Sequence, residues 1–164
     1  MITFVLGGAR SGKSVVAERL AARPGAPVTY LSTLDAGDDA ELAARVATHR
    51  ARRPAHWVTV EVGGGLADAV RVAAGTALVD SLGPWVAAAP GMVVDVNDLC
   101  KALAGRRGDS VVVSEEVGLG VHPATTAGLA FRDALGSVNQ AVAALADEVV
   151  LVVAGRVLRL EETE

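Results

Sequence analysis

The chain has 164 residues, 51% of them hydrophobic and 21% charged, with a formal net charge of −4. That length fits one domain able to bury about two-thirds of its unfolded surface, and the composition excludes a disordered segment. The acidic balance excludes a protein that holds nucleic acid on a broad basic surface, so no nucleic-acid partner is expected.

Apolar runs of strand length alternate with helical stretches along the chain. Ile2–Leu6 reads as a strand and Gly12–Ala22 as the helix that follows, with Pro27–Leu31 the next strand. Asp38–Arg53 has a helical pattern, acidic in its first turn and arginine-rich in its last, as the helix dipole favours. Trp57–Glu61 reads as a strand, Leu66–Ala73 as a helix, and Ala77–Asp80 as a buried-type strand ending in an acid. The Pro- and Ala-rich stretch Gly83–Gly91 reads as a loop or a frayed helix. Asp95–Leu103 is then expected to be helical, Ser110–Ser114 a strand, and Thr126–Ala146 a long helix. Glu148–Val153, a turn at Ala154-Gly155 and Arg156–Leu160 complete a hairpin with an antiparallel edge strand. Such alternation predicts right-handed βαβ units and a mainly parallel sheet with helices on both faces.

Cys100 is the single cysteine, so no intrachain disulfide can form and a reducing compartment is expected. Arg10 and Lys13 cut off the apolar start too early for a secretory core, and the long uncharged stretch Ser81–Val94 is broken by Pro84 and Pro90. No transmembrane segment is therefore expected, and a cytoplasmic location is. No set of His, Cys or Asp has zinc-ligand spacing, so no structural metal is expected.

Gly7-Gly8-Ala9-Arg10-Ser11-Gly12-Lys13-Ser14 matches G-x-x-x-x-G-K-[ST] at every fixed position, after a strand and opening a helix. Glycines let backbone N–H groups converge on phosphate oxygens, and the helix N-terminus adds a favourable field. Lys13 is expected to reach the β and γ phosphates and the Ser14 hydroxyl to bind Mg²⁺. Thirteen arginines and only two lysines, Lys13 and Lys101, make a lysine in this loop look chosen for its compact ammonium.

A second acid is expected for the metal at the end of a neighbouring strand. Asp80 and Glu116 both fit, since ligands of open parallel sheets bind at the carboxyl ends of strands; either could equally be a cap or loop carboxylate. In the Asp38–Arg53 helix, Leu42, Val46 and His49 share one face. That arrangement suits a half-buried histidine closing an apolar stripe, and it also suits a catalytic one. Arg50, Arg52 and Arg53 beside it read either as a solvated helix end or as ligands of a triphosphate. His122, before Pro123, is a candidate for a substrate contact, and His56 is uninformative.

Four stretches carry a resemblance over nearly the whole chain: GGARSGKS, AARVATHRARRPAHWVTVE, SEEVGLGVHP and FRDALGSVNQAVAALADEVVLVVAG. Together they resemble the bifunctional adenosylcobinamide kinase / adenosylcobinamide-phosphate guanylyltransferase family of cobalamin biosynthesis. The resemblance implies a single P-loop, RecA-like domain over residues 1–164. It implies phosphorylation of adenosylcobinamide with ATP or GTP, then transfer of GMP from GTP through a guanylyl-histidine, with Mg²⁺ as cofactor. His49 matches the guanylylated histidine. Arg50, Ala51, Arg52, Arg53, Glu61 and Asp80 match positions associated with GTP, and Ser32 and Thr33 approach the nucleotide. Asp80 and Glu116 are the candidates for the base toward the substrate hydroxyl. Members often carry Asn just before the acid matched by Glu116, where this chain has Glu115, and hydroxyl residues where it has Gly83-Pro84. Relatives form trimers, so a homo-oligomer is implied. The alternative readings are a monofunctional P-loop kinase of another small alcohol and a GTP-sensing regulatory module.

Overall fold

The computed structural model describes residues 1–22, 27–34, 47, 50–51 and 53–161. Its centre is a seven-stranded sheet of order β3-β2-β4-β5-β1-β6-β7. The strands are β1 (Ile2–Gly7), β2 (Val28–Ser32), β3 (Val58–Glu61), β4 (Thr76–Asp80), β5 (Ser110–Glu115), β6 (Glu148–Val153) and β7 (Arg156–Leu160). All neighbours pair in parallel except β6 and β7.

Alternation along the strands divides the core between the two faces. Phe4, Leu6, Leu31, Val79 and Val112 point to one face. There they meet α2 (Leu66–Val72), α3 (Leu82–Ala88), α4 (Val96–Ala104) and α5 (Thr126–Ala143). Val5, Val28, Tyr30, Leu78, Val111 and Val113 point the other way, onto Val16, Ala17 and Ala21 of α1 (Lys13–Ala21). The expected parallel sheet, its helices on both faces and its antiparallel edge strand are all present.

The stretch read as a loop or frayed helix contains α3, followed by a 3-10 turn over Pro90–Met92. Pro84 is compatible with a helix because it lies in the first turn, where a backbone N–H has no intrahelical partner to lose. Leu82, Trp85 and Val86 then bury one face. At the β6–β7 turn, Ala154 and Gly155 both have positive φ, as a two-residue hairpin connection requires. Of the predicted Asp38–Arg53 helix, Ala47, Arg50 and Ala51 are helical and exposed, and Arg53 lies beyond the helical residues. Leu42, Val46, His49 and Arg52 lie outside the described residues. Among the described residues, no helix is long and apolar enough to cross a membrane.

Register brings the candidate residues to one edge of the sheet. Glu61 pairs with Ser32, Ser32 with Asp80, and Glu115 with Gly7. These are the carboxyl ends of five adjacent strands.

Candidate nucleotide site

Gly7 ends β1, and the chain then turns sharply into α1. Gly12 takes φ 92, a conformation that L side chains rarely adopt, which is why glycine stands before the lysine. Gly12 also caps α1 without a side-chain hydrogen bond, so the helix's first N–H groups are not answered from the cap. They are oriented for an anion. The Ser11 hydroxyl accepts from the Lys13 N–H at 3.3 Å, and the Ser11 N–H donates to the Gly8 carbonyl at 3.3 Å. From across the sheet, the Gly155 N–H at the hairpin turn donates to the Ser11 carbonyl at 2.7 Å. The C-terminal hairpin thus props the loop from behind.

Lys13 points its Nζ back over the loop, 3.4 Å from the Gly8 carbonyl and 3.5 Å from Glu115 Oε1. The Ser14 hydroxyl donates to Asp80 Oδ1 at 3.4 Å. Asp80 accepts a second hydrogen bond, from the Tyr30 hydroxyl. Burial first, and then the Asp80 charge and hydrogen bond, push the Tyr30 phenol well above its ordinary value, so it stays a donor. Arg53 lies over the Tyr30 ring, 3.2 Å from its centre, and donates from Nη1 to Thr59 Oγ1 at 3.3 Å. Among the described residues, no group of three or more His, Cys, Asp or Glu could hold a metal ion. The adjoining Ser14 hydroxyl and Asp80 carboxylate are nevertheless hard oxygen donors of the kind a Mg²⁺ shared with phosphate oxygens takes.

The other predicted residues fall into four groups. Ser32 and Thr33 are buried beside Asp80, and Thr33 is committed to the neighbouring backbone: Ser81 N–H donates to its Oγ1 at 3.0 Å, and Oγ1 donates to the Ser81 carbonyl. Arg50, Ala51 and Glu61 are exposed at the same end of the sheet as the loop or just before β3. Glu116 is tied to the loop by its backbone, whose N–H donates to the Gly7 carbonyl at 3.1 Å. Its carboxylate, however, accepts from the Gly118 N–H at 2.6 Å and so closes its own turn. His122 is exposed, with Nδ1 3.2 Å from Arg132 Nη1.

Three further positions at these strand ends escaped the sequence reading. Tyr30 is the chain's only tyrosine and lies in a buried strand. A buried phenol needs a partner, and that was the available signal. Glu115 was visible only as an acid before Glu116. Alternation after Val111 and Val113 places it on the face covered by α1, beside Lys13. Asn139 of α5 accepts from Ser114 Oγ at 2.6 Å and donates to the Glu115 carbonyl at 3.0 Å, which anchors the end of β5.

The family described as cobinamide kinase / cobinamide phosphate guanyltransferase matches residues 3–160. The bifunctional adenosylcobalamin biosynthesis protein CobP of Pseudomonas aeruginosa is 41% identical, covering 94% of each chain. The bifunctional adenosylcobalamin biosynthesis protein CobU of Salmonella typhimurium is 39% identical over 94% of this chain and 97% of its own. Among solved structures, the flagellar accessory protein FlaH of Methanocaldococcus jannaschii superposes with a TM-score of 0.55 at 15% identity, over 95% of this chain and 74% of its own, a likeness of fold alone. The chain belongs to the cobinamide kinase / cobinamide phosphate guanyltransferase family.

Proposed function

We propose that the chain phosphorylates the aminopropanol hydroxyl of adenosylcobinamide with ATP or GTP, then converts the product to adenosylcobinamide-GDP with a second GTP. The observation that carries this reading is the convergence of Lys13, Ser14 and Asp80 at the strand ends of a chain matched to the family over residues 3–160.

In the first reaction the substrate oxygen bonds to the γ-phosphorus, the bond from that phosphorus to the β–γ bridging oxygen breaks, and nucleoside diphosphate leaves. Lys13 holds the β and γ phosphates, and the loop N–H groups orient them. Asp80 and Glu116 are the candidates to take the hydroxyl proton. Ser14 and Asp80 would hold Mg²⁺, which when bound offsets phosphate charge.

In the second reaction an imidazole nitrogen of His49 bonds to the α-phosphorus of GTP, and pyrophosphate leaves. The substrate phosphate then displaces the imidazole, giving the pyrophosphate linkage of adenosylcobinamide-GDP. A neutral imidazole is nucleophilic near pH 7 and makes a labile phosphoramidate, which suits a GMP carrier. Arg50, Arg52, Arg53 and Glu61 are the further residues we assign to GTP, together with Ser32 and Thr33. We place the enzyme in the cytoplasm, where a single cysteine stays reduced, as a homo-oligomer and, by analogy with relatives, a trimer.

The test uses GTP labelled at the α-phosphate with Mg²⁺. Wild type is expected to take up acid-labile, base-stable label. His49→Ala should take up none, yet still pass γ-phosphate to adenosylcobinamide. Labelling of His49→Ala at the wild-type level sinks the covalent route. Phosphorylation without any labelling of wild type leaves a kinase alone, and GTP binding without either reaction leaves a sensor.

A further inference from the structure

Lys13 is only 12% exposed, so its ammonium cannot rely on water for compensation. Among the described residues its charged partner is Glu115, at 3.5 Å. That carboxylate is itself held at both oxygens. Ser81 Oγ donates to Oε1 at 2.8 Å, and the Gly83 N–H donates to Oε2 at 3.0 Å. The seat exists because residue 83 has no side chain: a Cβ there would collide with Glu115 Oε2. A fixed anion thus faces a lysine on a flexible four-carbon stem.

We propose that Glu115 is a positioning residue, the counter-ion that holds Lys13 in the empty phosphate loop and yields it to an incoming triphosphate, in a seat that Gly83 leaves open. The proposal rests on the phosphate-loop reading above. It extends it by giving the loop an internal competitor for phosphate. The ion pair between Lys13 and Glu115 is exchanged for one between Lys13 and phosphate, and the carboxylate stays behind on Ser81 and Gly83. Its charge then opposes the bound phosphates. It therefore weakens nucleotide binding and favours release of the diphosphate after transfer, while the empty loop keeps its ammonium paired. Glu116 cannot replace it, since that carboxylate is folded onto the Gly118 N–H.

The consequence has an unusual sign. Removing an ordinary structural partner weakens ligand binding, whereas removing a competitor strengthens it. Glu115→Gln keeps the size and an acceptor oxygen but drops the charge. By calorimetric titration it is expected to bind the β,γ-methylene analogue of GTP with Mg²⁺ about three- to tenfold more tightly than wild type, the scale for one charge in a part-exposed site. GMP, which lacks the phosphates Lys13 holds, should bind both proteins alike. The melting temperature of the nucleotide-free variant should fall, because its ammonium has lost its counter-ion. Equal or weaker binding of the analogue by Glu115→Gln overturns the proposal, as does an equal gain for GMP. Lys13→Ala tests the foundation separately: if it binds the analogue like wild type, the phosphate-loop reading itself fails.

Discussion

Replacing Tyr30 with phenylalanine removes one oxygen and tests what holds Asp80 in place. Tyr30 is 2% exposed, and its hydroxyl donates to the Asp80 carboxylate. A hydrogen bond to a charged partner contributes about 1.5–3 kcal/mol, and phenylalanine fills nearly the same volume, so the loss should be close to the bond itself. In a chain of this size, about 2 kcal/mol lowers the melting temperature by roughly 4–8 °C. The pH dependence is more diagnostic. Burial, with Asp80 adding to it, raises the folded-state phenol pKa above its unfolded value of about 10. The stability this contributes is fully present below pH ~10 and is lost above it, where the unfolded chain releases a proton that the folded one retains. The loss runs at about 1.4 kcal/mol per pH unit. Tyr30→Phe lacks this titration. The stability difference between wild type and variant, measured by urea unfolding at pH 8, 10 and 11, should therefore be about 0.4 kcal/mol smaller at pH 10 than at pH 8, and about 1.4 kcal/mol smaller at pH 11. A difference that is constant across all three values refutes a phenol held protonated beside Asp80. No difference at pH 8 refutes the hydrogen bond.

Two further substitutions probe how the site is held up. Asn139→Leu strips partners from the buried Ser114 hydroxyl and from the Glu115 carbonyl. A loss of about 2–4 kcal/mol is expected in urea unfolding, partly recovered when Ser114→Ala is added; no recovery in the double variant would mean that the two residues are not coupled. Thr125 caps α5 by accepting from the Gly128 N–H at 3.1 Å. Thr125→Ala should lower stability by about 1 kcal/mol and leave the phosphate loop's nucleotide affinity unchanged, both measurable on one preparation.

Much of this fold is legible in the sequence because its strands are short apolar runs whose punctuation is local. Ala154-Gly155 marks the hairpin, and the phosphate loop carries its own mechanism in eight residues. Among the described residues, α3 alone defied such reading: Gly83-Pro84 looks like a break until Pro84 is placed in a first turn and Leu82, Trp85 and Val86 are seen to share a buried face. What local pattern cannot supply is strand order. Alternation predicts a parallel sheet, but it does not say that β5 lies between β4 and β1. That insertion sets Glu115 beside Gly7 and makes it a neighbour of Lys13, while Asp80, one strand further out, still reaches Ser14. The same order explains two features that look independent along the chain. Gly83, which follows β4, and Glu115, which ends β5, are thirty-two positions apart, yet the missing side chain of one is the seat of the other. A glycine that reads as a helix breaker is, in the folded chain, the space in which the carboxylate that faces Lys13 sits.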